Sequence, residues 1–286
     1  MNRPAYLHPE KIHQFIAQAL QEDVGDGDHS TLGSIPHNSM GQAQLLIKES
    51  GIIAGLELAE MIFKQFDPSL QVELLLKDGD QVKPGDIGLR VKGKATSILT
   101  TERLVLNCMQ RMSGIATKTH RLTQLMHHTK ARLMDTRKTT PNFRLMEKWA
   151  VWIGGGVNHR FALYDMVMLK DNHIDFAGGI KNAIENTKRY LTEKKLNLKI
   201  EVETRTLQEV EEALRIGGID YIMLDNMDYD TMRRAVQMVN GKYPLEASGG
   251  ITEENLKEVA ECGVDFISVG ALTHQVKSLD ISLKAY

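Results

Sequence analysis

Five basic side chains lie in three short segments of the middle of the chain. Arg137 and Lys138 occur in DTRKTTP, His159 and Arg160 in GGGVNHR, and Lys170 in MVMLKDNHI. A single basic residue is usually solvated or paired with an acid. Five in this arrangement favour an anion pocket, because such groups bind carboxylates and phosphates through charge-assisted hydrogen bonds. The pattern predicts a substrate with several acidic groups.

Three carboxylates follow the basic segments. Glu201 and Glu203 belong to KIEVE, and Asp225 ends DYIMLD. Alternation along a strand points Glu201 and Glu203 to the same side, with Glu203 nearer the carboxyl end. Two interpretations stay open: the carboxylates neutralise the basic pocket, or Glu203 and Asp225 hold Mg²⁺ against a diphosphate through hard oxygen ligands.

Glycine-rich turns form a third group. Ser248, Gly249 and Gly250 occur in EASGGITEENL, ahead of a predicted helix that opens with Thr252 and two glutamates, and Gly270 occurs in SVGALTH. Backbone amides in such turns bind anions, and barrel proteins often bind phosphate after their last two strands. The alternative is a pair of tight turns that need glycine for their geometry alone.

The elements that must position these groups follow from the apolar pattern of the second half. Apolar or β-branched runs occur at 131–135, 165–170, 199–203, 220–225, 244–248 and 265–270, with amphipathic stretches between the later ones. This rhythm predicts parallel strands with crossover helices. The carboxyl ends of parallel barrel strands share one face, where barrel enzymes place their chemistry. A flat dinucleotide-binding sheet is less favoured, because no G-x-G-x-x-G fingerprint follows a first strand.

The first half has a different pattern. Residues 9–22 place apolar side chains at helical spacing after a proline, which predicts an opening helix. Short apolar runs with glycines over 41–98 predict antiparallel strands and hairpins. Residues 96–126 predict a long helix.

Composition limits the classes of protein that remain. The chain has 286 residues, 42% hydrophobic and 25% charged, which are ordinary values for globular proteins. A net charge of −2 argues against a general nucleic-acid or membrane-surface binder. Cys108 and Cys262 are the only cysteines, so a disulfide framework is not expected and a reducing cytoplasm is predicted. Neither a signal peptide nor a membrane span is expected.

Long motifs of the chain resemble those of the quinolinate phosphoribosyltransferase family. The resemblance rests on EDVGDGDHST, TERLVLN, DTRKTTP, EKWAVWIGGGVNHR, LKDNHI and EASGGI, and covers nearly the whole sequence. It implies synthesis of nicotinate mononucleotide, pyrophosphate and CO₂ from quinolinate and phosphoribosyl pyrophosphate with Mg²⁺, a step of NAD biosynthesis. In TPNFR, Asn142 replaces the glycine usual in the family; asparagine tolerates left-handed backbone geometry.

The resemblance also implies an α/β fold in which an N-terminal α/β sandwich joins an incomplete (β/α) barrel of parallel strands. We expect the sandwich over residues 1–110, the barrel with the active site over 111–274, and a C-terminal tail, 275–286, that packs on the sandwich. Homodimers with shared active sites are expected, with no nucleic acid or membrane partner.

Site roles implied by the resemblance fall into three groups. Quinolinate is expected to be bound by Arg103, Arg137, Lys138, His159, Arg160 and Lys170, with Arg103 supplied by the partner subunit. Phosphoribosyl binding is expected of Glu203, Asp225, Ser248, Gly249, Gly250 and Gly270. Lys138, Lys170, Glu203 and Asp225 are the expected catalytic groups, and Glu203 and Asp225 the expected magnesium ligands.

Three rival functions stay open at this point. A paralogue of the same fold would act on another anionic heterocycle. A phosphate-binding barrel aldolase or isomerase would use Lys170 for a Schiff base and need no metal. A non-catalytic binding protein would hold the ligand without turnover.

Overall fold

A computed structural model describes residues 3–286. Along the chain the elements are α1 (Pro9–Val24), α2 (His29–Ser34), β1 (Met40–Ile47), β2 (Gly51–Ile52), α3 (Leu56–Phe66), β3 (Gln71–Leu74), β4 (Gln81–Val82), β5 (Ile87–Lys94), α4 (Ala95–Leu125), β6 (Arg132–Met134), α5 (Arg144–Ile153), β7 (Val167–Leu169), α6 (Asp171–Ala177), α7 (Ile180–Lys194), β8 (Ile200–Thr204), α8 (Leu207–Ile216), β9 (Tyr221–Asp225), α9 (Tyr229–Val239), β10 (Leu245–Ser248), α10 (Leu256–Glu261), β11 (Phe266–Ser268), α11 (Ala271–His274) and β12 (Ile281–Ala285).

The chain divides into two compact units. Of the described residues, unit 1 comprises 3–120, 139–155 and 272–286, and unit 2 comprises 121–138 and 156–271. The boundaries expected at residues 110 and 274 stay a prediction. No helix in residues 3–286 is both long and apolar enough to cross a lipid bilayer.

Unit 1 is built on an antiparallel sheet of four strands in the order β12-β1-β5-β3. The C-terminal strand β12 pairs with β1 from Ile47↔Ile281 to Ala43↔Ala285. Alternating residues of β1 are buried, which gives this sheet its apolar face. In the segment 139–155, Asn142 adopts a left-handed backbone with φ of 62°, the geometry for which asparagine is suited.

The predicted helices at 9–22 and 96–126 are confirmed as α1 and α4, and antiparallel strands are confirmed within 41–98. The prediction of strands and hairpins across all of 41–98 was wrong over residues 56–66, which form α3. The backbone N–H groups of Leu56 and Glu57 donate to the Asp78 carboxylate, which caps the start of this helix. The cap comes from 22 residues further along the chain, where a local pattern does not reveal it.

Unit 2 is built on a parallel sheet of six strands in the order β6-β11-β10-β9-β8-β7. All six predicted strands are confirmed, and their pairs are parallel. Val157 forms a further parallel bridge with Met134 at the β6 edge. Two residues later, His159 contacts Glu201 of β8 at 2.7 Å. In a flat sheet five strand spacings, about 24 Å, would separate Val157 from β8. The sheet therefore wraps around as an incomplete barrel.

Candidate active site

The carboxyl ends of the unit 2 strands bring most of the predicted groups to one face. Lys170 directly follows β7, and Asp225 and Ser248 are the last residues of β9 and β10. Glu203 is the second-last residue of β8. Arg137 and Lys138 follow β6, and the Lys138 N–H donates to Thr136 Oγ1 at 3.0 Å. Strand ends therefore position the site, as the sequence predicted.

Arg137 and Arg160 place two cations close together. Burial lowers the pKa of Arg160, and the nearby charge of Arg137 lowers it further. Arg160 also donates from Nη1 to the Met166 carbonyl at 3.0 Å, which holds one terminal nitrogen of its guanidinium in place. Two half-buried like charges repel each other, and the charges of Glu201 and Asp165 favour charged Arg160; an anionic ligand beside the two arginines would reduce the repulsion further.

Lys170, Glu203 and Asp225 form a second charged group. Lys170 Nζ lies 3.8 Å from Glu203 Oε2, and the Asp171 N–H donates to Glu203 Oε1 at 3.2 Å. Burial is the main cause that raises the pKa of Glu203, and the Asp225 charge raises it further. Two hard oxygen donors with repelling charges fit a divalent cation of the Mg²⁺ type.

His159 lies in a buried cluster with two glutamates. Its Nε2 is 2.7 Å from Glu201 Oε2 and 3.3 Å from Glu246 Oε2. Burial raises the pKa of Glu201 to about 7, and the charge of Glu246 contributes to that shift. Burial lowers the pKa of His159, but contacts with both carboxylates outweigh burial and raise this pKa to about 10. Potential ligand atoms of the three residues lie within 4.8 Å of one another.

The predicted phosphate turn follows β10. Its residues Gly249 and Gly250 have φ of +88° and +61°, and the Asn226 N–H donates to the Ser248 carbonyl at 2.9 Å. The predicted helix start at Thr252 was wrong, because α10 begins only at Leu256. The Asn255 side chain accepts from the Thr252 N–H and donates to the Gly250 carbonyl, which holds this segment as a turn.

Gly249→Ala is expected to destabilise the protein and weaken phosphoribosyl pyrophosphate binding. A Cβ at Gly249 would lie 2.3 Å from Asn226 Oδ1, and φ of +88° disfavours a side chain. We expect a loss of about 3 kcal/mol in the free energy of unfolding, from backbone strain and overpacking together. Urea unfolding and the KM for phosphoribosyl pyrophosphate measure the two effects.

Gly241→Ala is the matched control for backbone strain. Its φ is +74°, but nothing lies within 4 Å of the added Cβ. We expect a loss of about 1 kcal/mol there with no change in KM. Equal effects of the two substitutions on both measurements would show that the close approach to Asn226 is unimportant.

Two predicted residues lie outside the groups described above. Arg103 is exposed in α4, within unit 1, and is not among the residues that unit 2 brings together. Gly270 follows β11 by two residues, in the place expected for a second anion-binding turn.

Sequence reasoning missed Glu246 and Asp135. Glu246 lies two residues before Ser248 on β10, so alternation places both side chains on the same face of the strand. Asp135 directly follows β6; its carboxylate accepts from the His159 N–H at 3.0 Å and from Asn158 Nδ2 at 2.6 Å. The same alternation argument that singled out Glu201 and Glu203 could have found Glu246.

An incomplete barrel with cations, carboxylates and a glycine turn at one face defines a class of α/β enzymes that act on anionic, phosphate-bearing substrates. Comparison with known proteins is more specific. Residues 28–113 match the N-terminal domain of quinolinate phosphoribosyl transferase, and residues 115–284 match its C-terminal domain. The chain therefore belongs to the quinolinate phosphoribosyl transferase family, as its motifs predicted.

Individual relatives agree along most of their length. The carboxylating nicotinate-nucleotide pyrophosphorylase of Oryza sativa subsp. japonica, a chloroplastic protein, is 50% identical over 293 residues, which cover 97% of this chain and 78% of the relative. NadC from Streptococcus pyogenes has a crystal structure with a TM-score of 0.91 at 39% identity, covering 97% of each chain. The nicotinate-nucleotide pyrophosphorylase from Francisella tularensis has a TM-score of 0.90 at 36% identity, covering 98% of each chain.

Proposed function

We propose that this chain transfers the phosphoribosyl group of phosphoribosyl pyrophosphate to quinolinate. The products are nicotinate mononucleotide, pyrophosphate and CO₂, in a step of NAD biosynthesis. The observation that carries the proposal is the match of both family domains over residues 28–113 and 115–284. The site chemistry agrees, since a dicarboxylate and a polyphosphate both require cations.

The proposed substrate positions follow the charge distribution. Arg137, Arg160 and Lys170 bind the two quinolinate carboxylates, and Lys138 lies close to both substrates. Ser248, Gly249, Gly250 and Gly270 hold the 5′-phosphate through turn amides and the serine hydroxyl. The Schiff-base alternative for Lys170 is less favoured, because both family domains that match the chain belong to a phosphoribosyl transferase.

In the proposed reaction, the quinolinate nitrogen attacks C1 of the ribose. A carbon–nitrogen bond forms as the bond from C1 to the pyrophosphate oxygen breaks, through a transition state with oxocarbenium character. The bond from C2 of the ring to its carboxylate then breaks, CO₂ leaves, and C2 takes up a proton. The positive ring nitrogen stabilises the electron pair left on C2. The chain contributes orientation and charge stabilisation.

Glu203 and Asp225 are the proposed ligands of Mg²⁺. Both are carboxylates at the ends of neighbouring strands. Burial raises the pKa of Glu203, and the nearby charge of Asp225 raises it further. When bound, Mg²⁺ supplies positive charge that makes pyrophosphate a better leaving group. In the proposed reaction Glu203 and Asp225 face the ribose, and their negative charge stabilises the positive charge that develops there.

The test of this function uses quinolinate labelled at the 2-carboxyl carbon. The purified protein is incubated with labelled quinolinate, phosphoribosyl pyrophosphate and Mg²⁺, and both CO₂ and nicotinate mononucleotide are measured. We expect equal yields of the two products, and none with nicotinate in place of quinolinate. Quinolinate binding without release of CO₂ would refute the proposed reaction and favour the paralogue or the binding protein.

We also propose that the chain forms a homodimer in which Arg103 of the partner subunit completes each site. Arg103 is exposed on α4, which leaves it accessible to a second copy. Exposed apolar side chains flank β7, with 68% of Leu163, 63% of Tyr164 and 91% of Phe176 accessible. Apolar side chains exposed together mark interaction surfaces.

Mixing two inactive variants tests the shared site. Arg103→Ala and Arg137→Ala are each expected to lose activity, and their mixture to regain up to about a quarter of the wild-type rate. Random exchange makes about half of the dimers hybrids, each with one intact site of two. No recovery after verified subunit exchange would contradict the shared site.

A cytoplasmic location is proposed on the cysteine chemistry. Cys108 and Cys262 are both free thiols and both buried, and burial raises the pKa of Cys108 to about 12. Such thiols suit a reducing compartment. Detection of the protein outside the cytoplasm after cell fractionation would contradict this proposal.

A further inference from the structure

The His159 ring is engaged at both nitrogen atoms. Nε2 faces the buried carboxylates of Glu201 and Glu246, at 2.7 and 3.3 Å. Nδ1 accepts a hydrogen bond from the Arg160 backbone N–H at 2.8 Å. The ring thus connects two strands of the barrel, β8 and β10, to the backbone of a predicted substrate-binding arginine.

The hydrogen bond to Nδ1 determines the form of the ring. An acceptor needs a lone pair on Nδ1, so this hydrogen bond is made by a ring that carries its hydrogen on Nε2. The two carboxylates favour the charged form of the ring, since they raise the pKa of His159. A charged ring would turn an Nδ1 hydrogen against the Arg160 N–H, so charging of the ring and support of Arg160 through Nδ1 oppose each other.

Burial of the Glu201 and Glu246 carboxylates destabilises the fold. Glu201 and Glu246 are each 1% exposed, and the Oε1 atom of each has no hydrogen-bond partner in residues 3–286. Buried polar atoms without partners destabilise a fold, and an apolar pair of similar volume would avoid this cost. The pair therefore contributes something other than stability, and the group that both carboxylates contact is His159.

The backbone on the other side of the ring is also fixed. The Asp135 carboxylate accepts from the His159 N–H at 3.0 Å and from the Asn158 amide at 2.6 Å. Arg160 then extends from this anchored segment, and its Nη1 donates to the Met166 carbonyl at 3.0 Å. Arg160 is thus supported at its backbone by His159 and at its guanidinium by a carbonyl.

We propose that Glu246 is a positioning residue for quinolinate binding, which acts through the His159 ring on Arg160. In this arrangement His159 supports Arg160 and is not itself a ligand of a substrate carboxylate. The inference rests on the proposed function, because it takes Arg160 as a group that binds quinolinate. Glu201 shares the contact with His159, but Glu246 lies on a separate strand and is the better single test.

The experiment is a double-mutant cycle with Glu246→Gln and His159→Ala. Glu246→Gln is expected to raise the KM for quinolinate about tenfold, with kcat and the KM for phosphoribosyl pyrophosphate within about twofold of wild type. Adding it to His159→Ala is expected to change the KM by less than about twofold, because the path to Arg160 is already broken. Additive effects, or equal effects on both KM values, would overturn the proposal.

His159→Asn keeps the proposal testable even if Glu246→Gln does not fold. The asparagine oxygen can take the place of Nδ1 and accept from the Arg160 N–H, so its KM for quinolinate should lie well below that of His159→Ala. Equal KM values for the two His159 variants would overturn the proposal, since loss of a direct Nε2 contact with substrate affects both alike.

Glu261→Gln is the matched control. Glu261 pairs with His128 at 3.1 Å on the exposed surface of unit 2, so this variant removes a carboxylate from a histidine without touching the cluster. It should leave both KM values unchanged. No turnover by wild type or control would refute the proposed function, whereas full turnover with a normal KM in Glu246→Gln would refute the positioning role alone.

Metal analysis of the purified protein tests whether the cluster binds a metal ion instead of positioning Arg160. The ligand atoms of His159, Glu201 and Glu246 are close enough to share one ion. We expect no bound transition metal, because the Nε2 hydrogen occupies the space between the carboxylates. One tightly held equivalent in wild type that is lost in Glu246→Gln would overturn the proposal.

Discussion

Arg160→Ala is expected to raise the KM for quinolinate about 100-fold and leave the KM for phosphoribosyl pyrophosphate within about threefold. A guanidinium binds a carboxylate through two parallel charge-assisted hydrogen bonds, and removing both costs about 3 kcal/mol, which corresponds to that factor. Arg160 is half-buried and already held at the Met166 carbonyl, so little side-chain freedom is lost when the ligand binds. Steady-state kinetics with each substrate varied in turn measure both constants.

The matched control for Arg160→Ala is Arg233→Ala. Arg233 is an exposed arginine on α9 that pairs with Asp230 at 3.0 Å, and its loss should change neither KM. Arg160→Lys should recover only part of the affinity, because an ammonium group lacks the planar fork. A KM for quinolinate that is unchanged in Arg160→Ala would remove Arg160 from the pocket and would also undermine the role inferred for Glu246.

The strands of unit 2 could be predicted because their signal is local. A buried parallel strand is a short apolar run, and the residue after it lies at the active face whatever the rest of the chain does. This argument correctly located Lys170, Asp225 and Ser248 at strand ends. The same approach did not predict the helix α3. Apolar runs bounded by glycine lie on both sides of this helix, and the Asp78 side chain that caps it comes from a distant loop.

Contacts across the barrel could not be predicted in this way. His159 meets Glu201 and Glu246 only because the sheet wraps around, and no local pattern gives the register between strands so far apart in sequence. The sequence indicated that Glu201 and Glu203 share a side but not which partners each would have. The structure pairs Glu203 with Lys170 and Glu201 with His159, so two similar residues lie in different environments.

Glu203→Gln is expected to lower kcat by a factor of about 100 to 1,000 and to raise the Mg²⁺ concentration for half-maximal rate at least about tenfold. Loss of a charged group aimed at the developing charge of a transition state has effects of this size on kcat. Glutamine retains the size and one acceptor oxygen but removes the negative charge that a hard cation requires. Rates measured across a Mg²⁺ titration separate the two effects, because saturating metal restores only the second.

Asp225→Asn and Glu211→Gln complete the Glu203 experiment. Burial is the main cause that raises the pKa of Glu203, and the charge of Asp225 raises it further. The two carboxylates therefore share one electrostatic environment. Residues that act as a unit are not additive, and the double variant should lose little more than the worse single variant. Glu211→Gln, an exposed change on α8, should leave kcat and the Mg²⁺ requirement unchanged. Full additivity of Glu203→Gln and Asp225→Asn would instead show that the two residues act independently. Only the residue whose substitution raises the Mg²⁺ requirement would then be a metal ligand.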